Sequence, residues 1–246
     1  MSNQIKIKNK ISFIKNFLSP ICKVSDSAVL EIENGFIKAL VCTSDNSIIF
    51  HNTHEIESSS EELIVLNCSD LKKLIRALDT IVSKNEIIFT LEENNISYND
   101  SKIKFKYHLL ENDIIKKPKI SLKKLESMDT LSSFIITKDS LKELVRGSVF
   151  SSDSNKFYLN SENGGVFAEL TDKTRNNIDT ITLQLSDSFD GNSFEALPLN
   201  FEIFRIMEIG DSNDINVKIN TKLGIVLFEI YNNYNKMLYI MSSLTK

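Results

Sequence analysis

Basic residues recur at helical spacing in this chain of 246 residues. Lys138, Lys142 and Arg146 follow one another at every fourth position, and Lys72 and Arg76 repeat that interval. Residues four apart share one face of an α-helix, where like charges repel by roughly 0.2–0.5 kcal/mol per pair. Such a stripe is either a solvated helix face or a surface that neutralises a polyanion. Its chemistry is charge compensation, and it needs no nucleophile, acid or base.

The positive charge is concentrated on four predicted helical segments. The chain has a formal net charge of −4, whereas these segments sum to +3, which leaves −7 for the remainder. Three segments are net positive, which favours a polyanionic partner. The fourth, around Arg205, also carries Glu202 and Glu208 and is net negative, which this interpretation does not explain. The candidate residues for contact with nucleic acid are Lys10, Lys15, Lys72, Lys73, Arg76, Lys138, Lys142, Arg146 and Arg205.

Patterns typical of enzymes or metal sites are missing from the sequence. His51 and His54 share one short stretch without the cysteine or carboxylate partners of a metal centre. There is no phosphate-binding loop, nucleophile elbow or dinucleotide fingerprint, and the acidic residues are scattered. The stretch ENGG at 162–165 predicts a hairpin turn. We therefore expect a non-catalytic protein without cofactor or metal.

Composition indicates a cytoplasmic protein. The three cysteines, Cys22, Cys42 and Cys68, are odd in number and form no CxxC pair, which is typical of reduced thiols. No apolar run approaches the ~20 residues that cross a bilayer, and no apolar segment follows the basic start. We expect no membrane association.

A strand, a helix and three strands follow one another four times along the chain. The predicted helices cover 9–18, 69–81, 139–149 and 201–209, with Ser69 and Asn200 as candidate N-caps. Their predicted apolar faces contain Ile11, Ile14, Phe17 and Leu18, then Leu71, Leu74, Ile75 and Leu78, then Leu141, Leu144, Val145 and Val149, and finally Phe204 and Met207. Strands predicted between the helices include 28–33, 36–43, 47–52, 86–92, 95–99, 102–110, 156–161, 165–171, 179–185, 215–220, 224–230 and 236–242. Each helix has one apolar stripe, so its other face remains available for a partner.

The four units pair into two halves. Residues 111–130 contain Pro118 and five lysines, a composition that suits either an exposed connector or a solvated loop without a role. We predict an N-terminal domain at 1–112, a connector at 113–130 and a C-terminal domain at 131–246. The fold class is α+β, with two βαβββ units in each domain.

This order of elements, with its basic helices and basic connector, resembles the DNA sliding clamps. The plan is similar to PCNA, and particular stretches resemble the clamps of T-even-type tailed phages. These stretches are FIKNF (13–17), DSLKELVRGS (139–148), and FDGNSFEALPLNFEIFRIM with the later GIVLFE and KMLYIM. Residues 44–66 and 111–130 do not align with that family. The likeness is therefore one of pattern and order.

The resemblance implies a function as well as a fold. It implies the DNA-clamp fold, with helices lining a central channel and sheets outside, in a homotrimer that encircles duplex DNA. It implies sequence-independent DNA binding, with a DNA polymerase and a clamp-loader ATPase as partners. The T-even-type relatives also serve late viral transcription, and a viral protein of this kind would be located in the host-cell cytoplasm. By position in the family, the partner pocket would include Ile115, Ile120, Leu122, Tyr239 and Met241. By the same comparison, Lys15, Lys142 and Arg146 would face DNA.

Two other functions are compatible with the sequence. A monomeric, non-catalytic α+β structural or adaptor protein of a phage would leave the basic faces solvated. A single-strand-binding protein is disfavoured because the aromatic residues fall within apolar strand patterns rather than beside the basic residues. The mass in solution separates a trimer from a monomer.

Overall fold

The chain forms two compact units. One comprises Met1–Lys119 with Asn232–Met237, and the other comprises Ile120–Tyr231 with Leu238–Lys246. The computed structural model describes residues 3–60, 62–82, 85–126, 128, 132–149, 155–171, 173, 179–207 and 214–244, without the side chain of Glu126. The predicted connector spans the division between the units, and its boundaries at 112 and 131 remain a proposal.

The strands differ in burial: several alternate buried and more exposed side chains, whereas the last two of the chain are buried at most positions. In the first unit they are β1 (Asn3–Ile7), β2 (Ala28–Glu33), β3 (Phe36–Cys42), β4 (Ile48–Glu55), β5 (Glu57–Ser58), β6 (Ile64–Cys68), β7 (Ile87–Glu92), β8 (Asn95–Asn99) and β9 (Lys104–His108). The second unit has β10 (Ser132–Ile136), β11 (Lys156–Glu162), β12 (Gly165–Leu170), β13 (Ile181–Ser186), β14 (Leu197–Asn200), β15 (Ile215–Asn220), β16 (Ile225–Tyr231) and most of β17 (Asn235–Ser242). The predicted ENGG turn is present, with Asn163 and Gly164 both at positive φ.

Five helices connect the strands within the described residues. They are α1 (Lys10–Ser12, Phe13–Leu18 and Ser19–Val24 in succession), α2 (Leu71–Asp79), α3 (Leu122–Glu126), α4 (Lys138–Gly147) and α5 (Glu202–Ile206). The helix α3 lies in the predicted connector, where no helix was predicted. Leu125 on α3 is buried, which explains why this lysine-rich turn is ordered.

Each unit is built from two βαβββ repeats that exchange their first strands. In the first unit, β1 pairs with β7 of the second repeat, while β6 pairs with β2 of the first repeat. The second unit does the same, since β10 pairs with β15 and β14 pairs with β11. The sheet orders are β5-β1-β7-β8-β9 and β6-β2-β3-β4 in one unit, and β13-β12-β11-β14 and β10-β15-β16-β17 in the other. Neither repeat can therefore complete its sheet without the other.

The first helix continues past its predicted end and changes geometry in the middle. Pro20 has no N–H and its ring opposes the carbonyl of Asn16, four residues earlier, so a regular α-helix is disfavoured here. Residues Phe13–Leu18 instead form a π-helix, in which Ser19 N–H donates to the Ile14 carbonyl. The sequence interpretation ended this helix at 18, which is wrong, since the helix continues through Ser19–Val24.

Side-chain amides satisfy the carbonyls that this irregular turn leaves free. Asn52 on β4 is fully buried, and its Nδ2 donates to the Asn16 carbonyl at 2.9 Å and to the Phe17 carbonyl at 3.2 Å. Asn235 Nδ2 also donates to the Asn16 carbonyl, at 3.3 Å. The asparagines thus replace the backbone donors that the π-turn and the proline remove.

Beside them, His54 is packed as a neutral side chain. Its Nδ1 lies 2.8 Å from Asn235 Oδ1, and its ring contacts Phe13 and Phe17 with centroid distances of 5.2 and 5.9 Å. Burial lowers the pKa of His54 below its ordinary value, more strongly than the hydrogen bond to Asn235 raises it. The histidine is therefore a core residue of the first unit.

Replacing Asn52 by alanine should destabilise the protein. The variant leaves the buried Phe17 carbonyl without the Asn52 amide donor, which costs about 1–3 kcal/mol. Chemical denaturation would measure the change, with Asn99→Ala at the exposed end of β8 as the control, expected to change stability by less than ~0.5 kcal/mol. Equal stability of the two variants would contradict a capping role for Asn52.

Several predicted details of the helices are corrected by the structure. Ile11, Val145 and Val149 were assigned to apolar core faces but are 54%, 40% and 78% exposed. Ile11 and Val145 lie at the margin of a face whose central positions are filled by the other predicted residues, and Val149 lies beyond the last residue of α4. The cap of α2 is Asp70 rather than Ser69, since Asp70 accepts from Lys73 N–H at 2.8 Å.

Candidate nucleic-acid interface

The helix α4 carries the clearest basic stripe. Thr137 caps it by accepting from Ser140 N–H at 3.1 Å, and its buried residues Leu141 and Leu144 face the core of the second unit. Lys142 and Arg146 lie on the exposed part of its surface, as predicted. The packing of Leu141 and Leu144 thus fixes the direction in which this basic stripe points.

Two acidic residues, Asp139 and Glu143, share the exposed surface of α4. Lys142 Nζ lies 2.8 Å from Asp139 Oδ1, and this hydrogen bond holds the pKa of Asp139 below its usual range. Arg146 forms no ion pair with any residue that the structure describes. Because Asp139 is itself highly exposed, the pair is weak and Lys142 can exchange it for a phosphate.

The helix α2 presents a second basic surface in the first unit. Leu71, Leu74 and Leu78 are buried, while Lys73 and Arg76 are exposed. Tyr107 on β9 anchors the helix start, since its hydroxyl accepts from Asp70 N–H and donates to the Asp70 carbonyl, both at 3.0 Å.

Lys72 on α2 is less available than its neighbours. Its Nζ lies 2.6 Å from Asp26 Oδ1, and the hydrogen bond raises the pKa of Lys72. Both side chains are largely exposed, so the pair adds little stability, and phosphate can compete for the lysine.

The basic residues of α1 divide into one buried and one exposed side chain. Lys10 is 7% exposed and its Nζ donates to the Ile81 carbonyl. This hydrogen bond connects α1 to the segment that follows α2. The predicted contact of Lys10 with nucleic acid is not compatible with its burial. Lys15 is exposed. Lys23, which the sequence interpretation missed because it ended the helix too early, is also exposed in the last turn.

Arg205 on α5 is held by local contacts. Its Nη1 lies 3.1 Å from Glu202 Oε2 and 3.2 Å from Asn155 Oδ1, and its guanidinium lies over the Phe201 ring. Glu202 therefore neutralises the single cation of this short helix. These contacts give Arg205 a structural role. Such a role does not require the fourth predicted helix to share the positive charge of the other three.

The helices of each unit pack in pairs. In the first unit α1 contacts α2, and in the second unit α4 contacts α5. The structure therefore places Lys15, Lys73 and Arg76 on adjoining helices of one unit. Lys142 and Arg146 lie on the adjoining helix pair of the other unit. The exposed cations are suited to contacting phosphates without reading bases.

The residues predicted to bind a protein partner are not equally accessible. Ile115 lines a groove of about 310 Å³ in the first unit, between the predicted connector and strands β2 and β3. Ile120 and Leu122 are half-buried in the second unit. Tyr239 and Met241 are 0% and 2% exposed, so neither offers a surface in this structure.

The groove at Ile115 has an apolar floor and a basic margin. Val29, Leu40 and Ile114 contribute apolar atoms, and Lys116 and Lys117 border it. Ile114, which the sequence interpretation did not include, is 57% exposed. Sequence position alone could not separate Ile114 from Ile115, because both lie in a segment without periodicity.

No group of three or more potential metal ligands occurs among the described residues. Within the same residues, no helix has the length and hydrophobicity needed to cross a membrane.

Comparison with solved structures identifies the fold. The chain superposes over its full length on A. fulgidus PCNA in a complex with the C-terminal region of FEN-1, with a TM-score of 0.75, 13% identity and 99% of that chain covered. PCNA from Thermococcus kodakaraensis gives a TM-score of 0.75 at 12% identity, covering 98% of this chain and 100% of the other. No family model matches the sequence, and no curated protein does.

A bacterial clamp subunit gives a similar result. A putative DNA polymerase III beta subunit from Eubacterium rectale matches with a TM-score of 0.74 and 12% identity, covering 99% of this chain and 66% of the other. The chain therefore has the α+β DNA-clamp fold, as predicted. The similarity extends over both units and over the two βαβββ repeats of each.

Proposed function

We propose that this protein is a sliding clamp, a non-catalytic ring that encircles duplex DNA and tethers the replicative DNA polymerase for processive synthesis. The observation that carries the proposal is the clamp fold over the whole chain, at TM-scores of 0.74–0.75 to proteins that share 11–13% identity with it. Exposed cations on α1, α2 and α4 support it, since they offer phosphate contacts without base readout.

The ring would be a homotrimer that forms through strand pairing. The interface strands would be β9 and β13, since both lie at sheet edges. Edge strands present unpaired backbone groups that another chain can complete. Three copies of a two-domain chain would supply six domains, the number that the resemblance implies.

Partner proteins would dock on the groove that Ile115 lines. One related structure shows the C-terminal region of FEN-1 bound to a PCNA. In this chain, the apolar floor and the exposed Ile114 support a short peptide of the polymerase or the clamp loader as the occupant. Service in late viral transcription and location in the host cytoplasm rest on the resemblance to T-even-type phage clamps alone.

Retention on circular DNA is the test of this function. After loading by a clamp loader, we expect the protein to stay on closed circular duplex at high salt and to leave after a single cut linearises the DNA. The physical reason is that a ring is held by topology, whereas a net charge of −4 makes direct binding weak and salt-sensitive. Equal retention on both forms, or a stable monomer at high concentration, would favour the adaptor alternative.

A further inference from the structure

The basic stripe of α4 borders an apolar groove that phosphate binding does not use. The groove lies between α4 and α5 in the second unit and has a volume of about 300 Å³. Its apolar lining comes from Leu141, Val145, Phe204 and Met207. Lys138, Lys142 and Arg146 form the polar part of its lining. The volume is at the lower end of the ~300–1,000 Å³ that small-molecule sites occupy.

The floor of the groove is built from the core. Leu141, Phe204 and Met207 are 5%, 4% and 5% exposed, so their positions are set by packing. Val145 is 40% exposed and forms the accessible apolar wall. Phe204 is held by ring contacts to Phe157 and Phe228, with centroid distances of 5.0 and 5.9 Å. A ligand would therefore meet a preformed apolar surface.

The charges of the groove select an anion. Lys142 shares its charge with Asp139, whereas Arg146 has no ion-pair partner among the described residues. A guanidinium with free donors beside an apolar floor binds a carboxylate, sulfonate or phosphate with paired hydrogen bonds. The anionic group would be at Arg146, with the apolar body on Val145.

We propose that this groove binds a small amphipathic anion, a single molecule with an apolar aliphatic or aromatic body and one acidic group. The floor offers no hydrogen-bonding partner for the polar edges of a nucleobase, which disfavours a nucleotide. A duplex backbone presents phosphates and sugars only, so it can neutralise Arg146 but has no apolar group to fill the groove.

Two fluorescent probes that differ by one charge test the site. Anilinonaphthalene sulfonate carries the apolar body and an acidic group, and N-phenyl-1-naphthylamine is its neutral counterpart. We expect one site per chain that binds the sulfonate at least tenfold more tightly than the neutral probe, because a hydrogen-bonded ion pair with Arg146 forms only with the sulfonate. Equal affinities for the two probes would overturn the proposal.

Variants assign the site to this groove. Arg146→Ala should weaken the sulfonate about tenfold and leave the neutral probe unchanged. Val145→Gln, at a position exposed enough to keep the fold, should weaken both probes. The control Lys72→Ala with Arg76→Ala removes two cations from α2 in the other unit and should alter neither probe. Binding that Val145→Gln leaves unchanged would place the probe elsewhere and contradict the proposal.

A further consequence rests on the proposed sliding-clamp function. Because Lys142 and Arg146 would both face DNA and border the groove, a bound anion should reduce retention on circular duplex. The ligand site and the DNA-facing role of α4 can be contradicted independently. Probe binding without an effect on retention contradicts the assignment of α4 to the DNA-facing surface. Absence of saturable probe binding, with normal retention, contradicts the ligand site.

Discussion

Reversing the charge of the α4 stripe is expected to abolish most of the proposed sliding-clamp activity without unfolding the protein. In Lys142→Glu with Arg146→Glu, each chain changes by four charge units, and a trimer by twelve, on the surface assigned to DNA. Two attractive phosphate contacts per chain become repulsive, so loading and polymerase processivity should fall steeply, most strongly at low salt where screening is weak. Primer extension on a circular template would measure the loss.

The folded state should tolerate this change. Both residues lie on the exposed side of α4, away from the buried Leu141 and Leu144. The variant loses the surface pair between Lys142 and Asp139, worth about 0.2–1 kcal/mol, and a favourable cation in the last turn, worth about 0.3–1 kcal/mol. The melting temperature should therefore fall by only a few degrees, with the trimer mass unchanged.

A charge-matched control variant tests whether the loss of processivity depends on where the charges are reversed. Lys123→Glu with Lys222→Glu introduces the same four-unit change at two exposed lysines, one on α3 and one in the turn between β15 and β16. We expect near-normal processivity from this control, because neither residue belongs to the proposed DNA-facing helices. Normal processivity in the α4 variant as well would mean that α4 does not face DNA.

Proline at the β13 edge is expected to convert the proposed trimer into monomers. In an antiparallel edge strand, successive N–H groups point alternately toward the neighbouring strand and toward the open edge. Ile181 pairs with Leu170 of β12, and Thr182 pairs with Glu169. The N–H groups of these two neighbouring residues therefore point in opposite directions. Of the variants Ile181→Pro and Thr182→Pro, one removes a hydrogen-bond donor from the open edge, and the other removes a hydrogen-bond donor from the pairing with β12.

Mass and stability together separate these two effects. The edge variant should be monomeric in sedimentation while retaining the unfolding free energy of the monomer, whereas the other variant should lose stability. Tyr158→Pro on the interior strand β11 serves as a control for a purely structural loss, since β11 is paired on both sides. Trimers of unchanged mass for both β13 variants would place the interface away from β13.

The local pattern of apolar and polar residues was sufficient to predict most strands and to distinguish helices from strands. The strands predicted at 95–99 and 215–220 match β8 and β15 at every residue, because period-two alternation and flanking turn residues both bound them. The predicted burial of Phe204 and Met207 is confirmed as well. On α4, Lys142 and Arg146 are exposed, as the helical period predicts. The spacing of the basic residues was therefore sufficient to predict this part of the candidate site.

The burial of individual side chains at helix margins depended on tertiary contacts. Lys10 was assigned to nucleic acid from its charge, but the Ile81 carbonyl accepts its ammonium group within the first unit. Val145 was assigned to the core from its spacing, but the surface between α4 and α5 leaves it 40% exposed. Periodicity specifies a direction around the helix axis and contains no information on how far the neighbouring element extends.

The sequence by itself determined the four βαβββ units, the basic character of their helices and the α+β class. Only the tertiary structure decided that paired units exchange their first strands, that Asn52 satisfies the carbonyls around the π-turn, and that Tyr239 and Met241 are inaccessible. The spacing of apolar residues shows which side of a helix or strand faces apolar surroundings, and this spacing is present within each short segment of the chain. Strand exchange and amide capping join residues far apart in sequence, and their partners are specified by packing that no single segment contains.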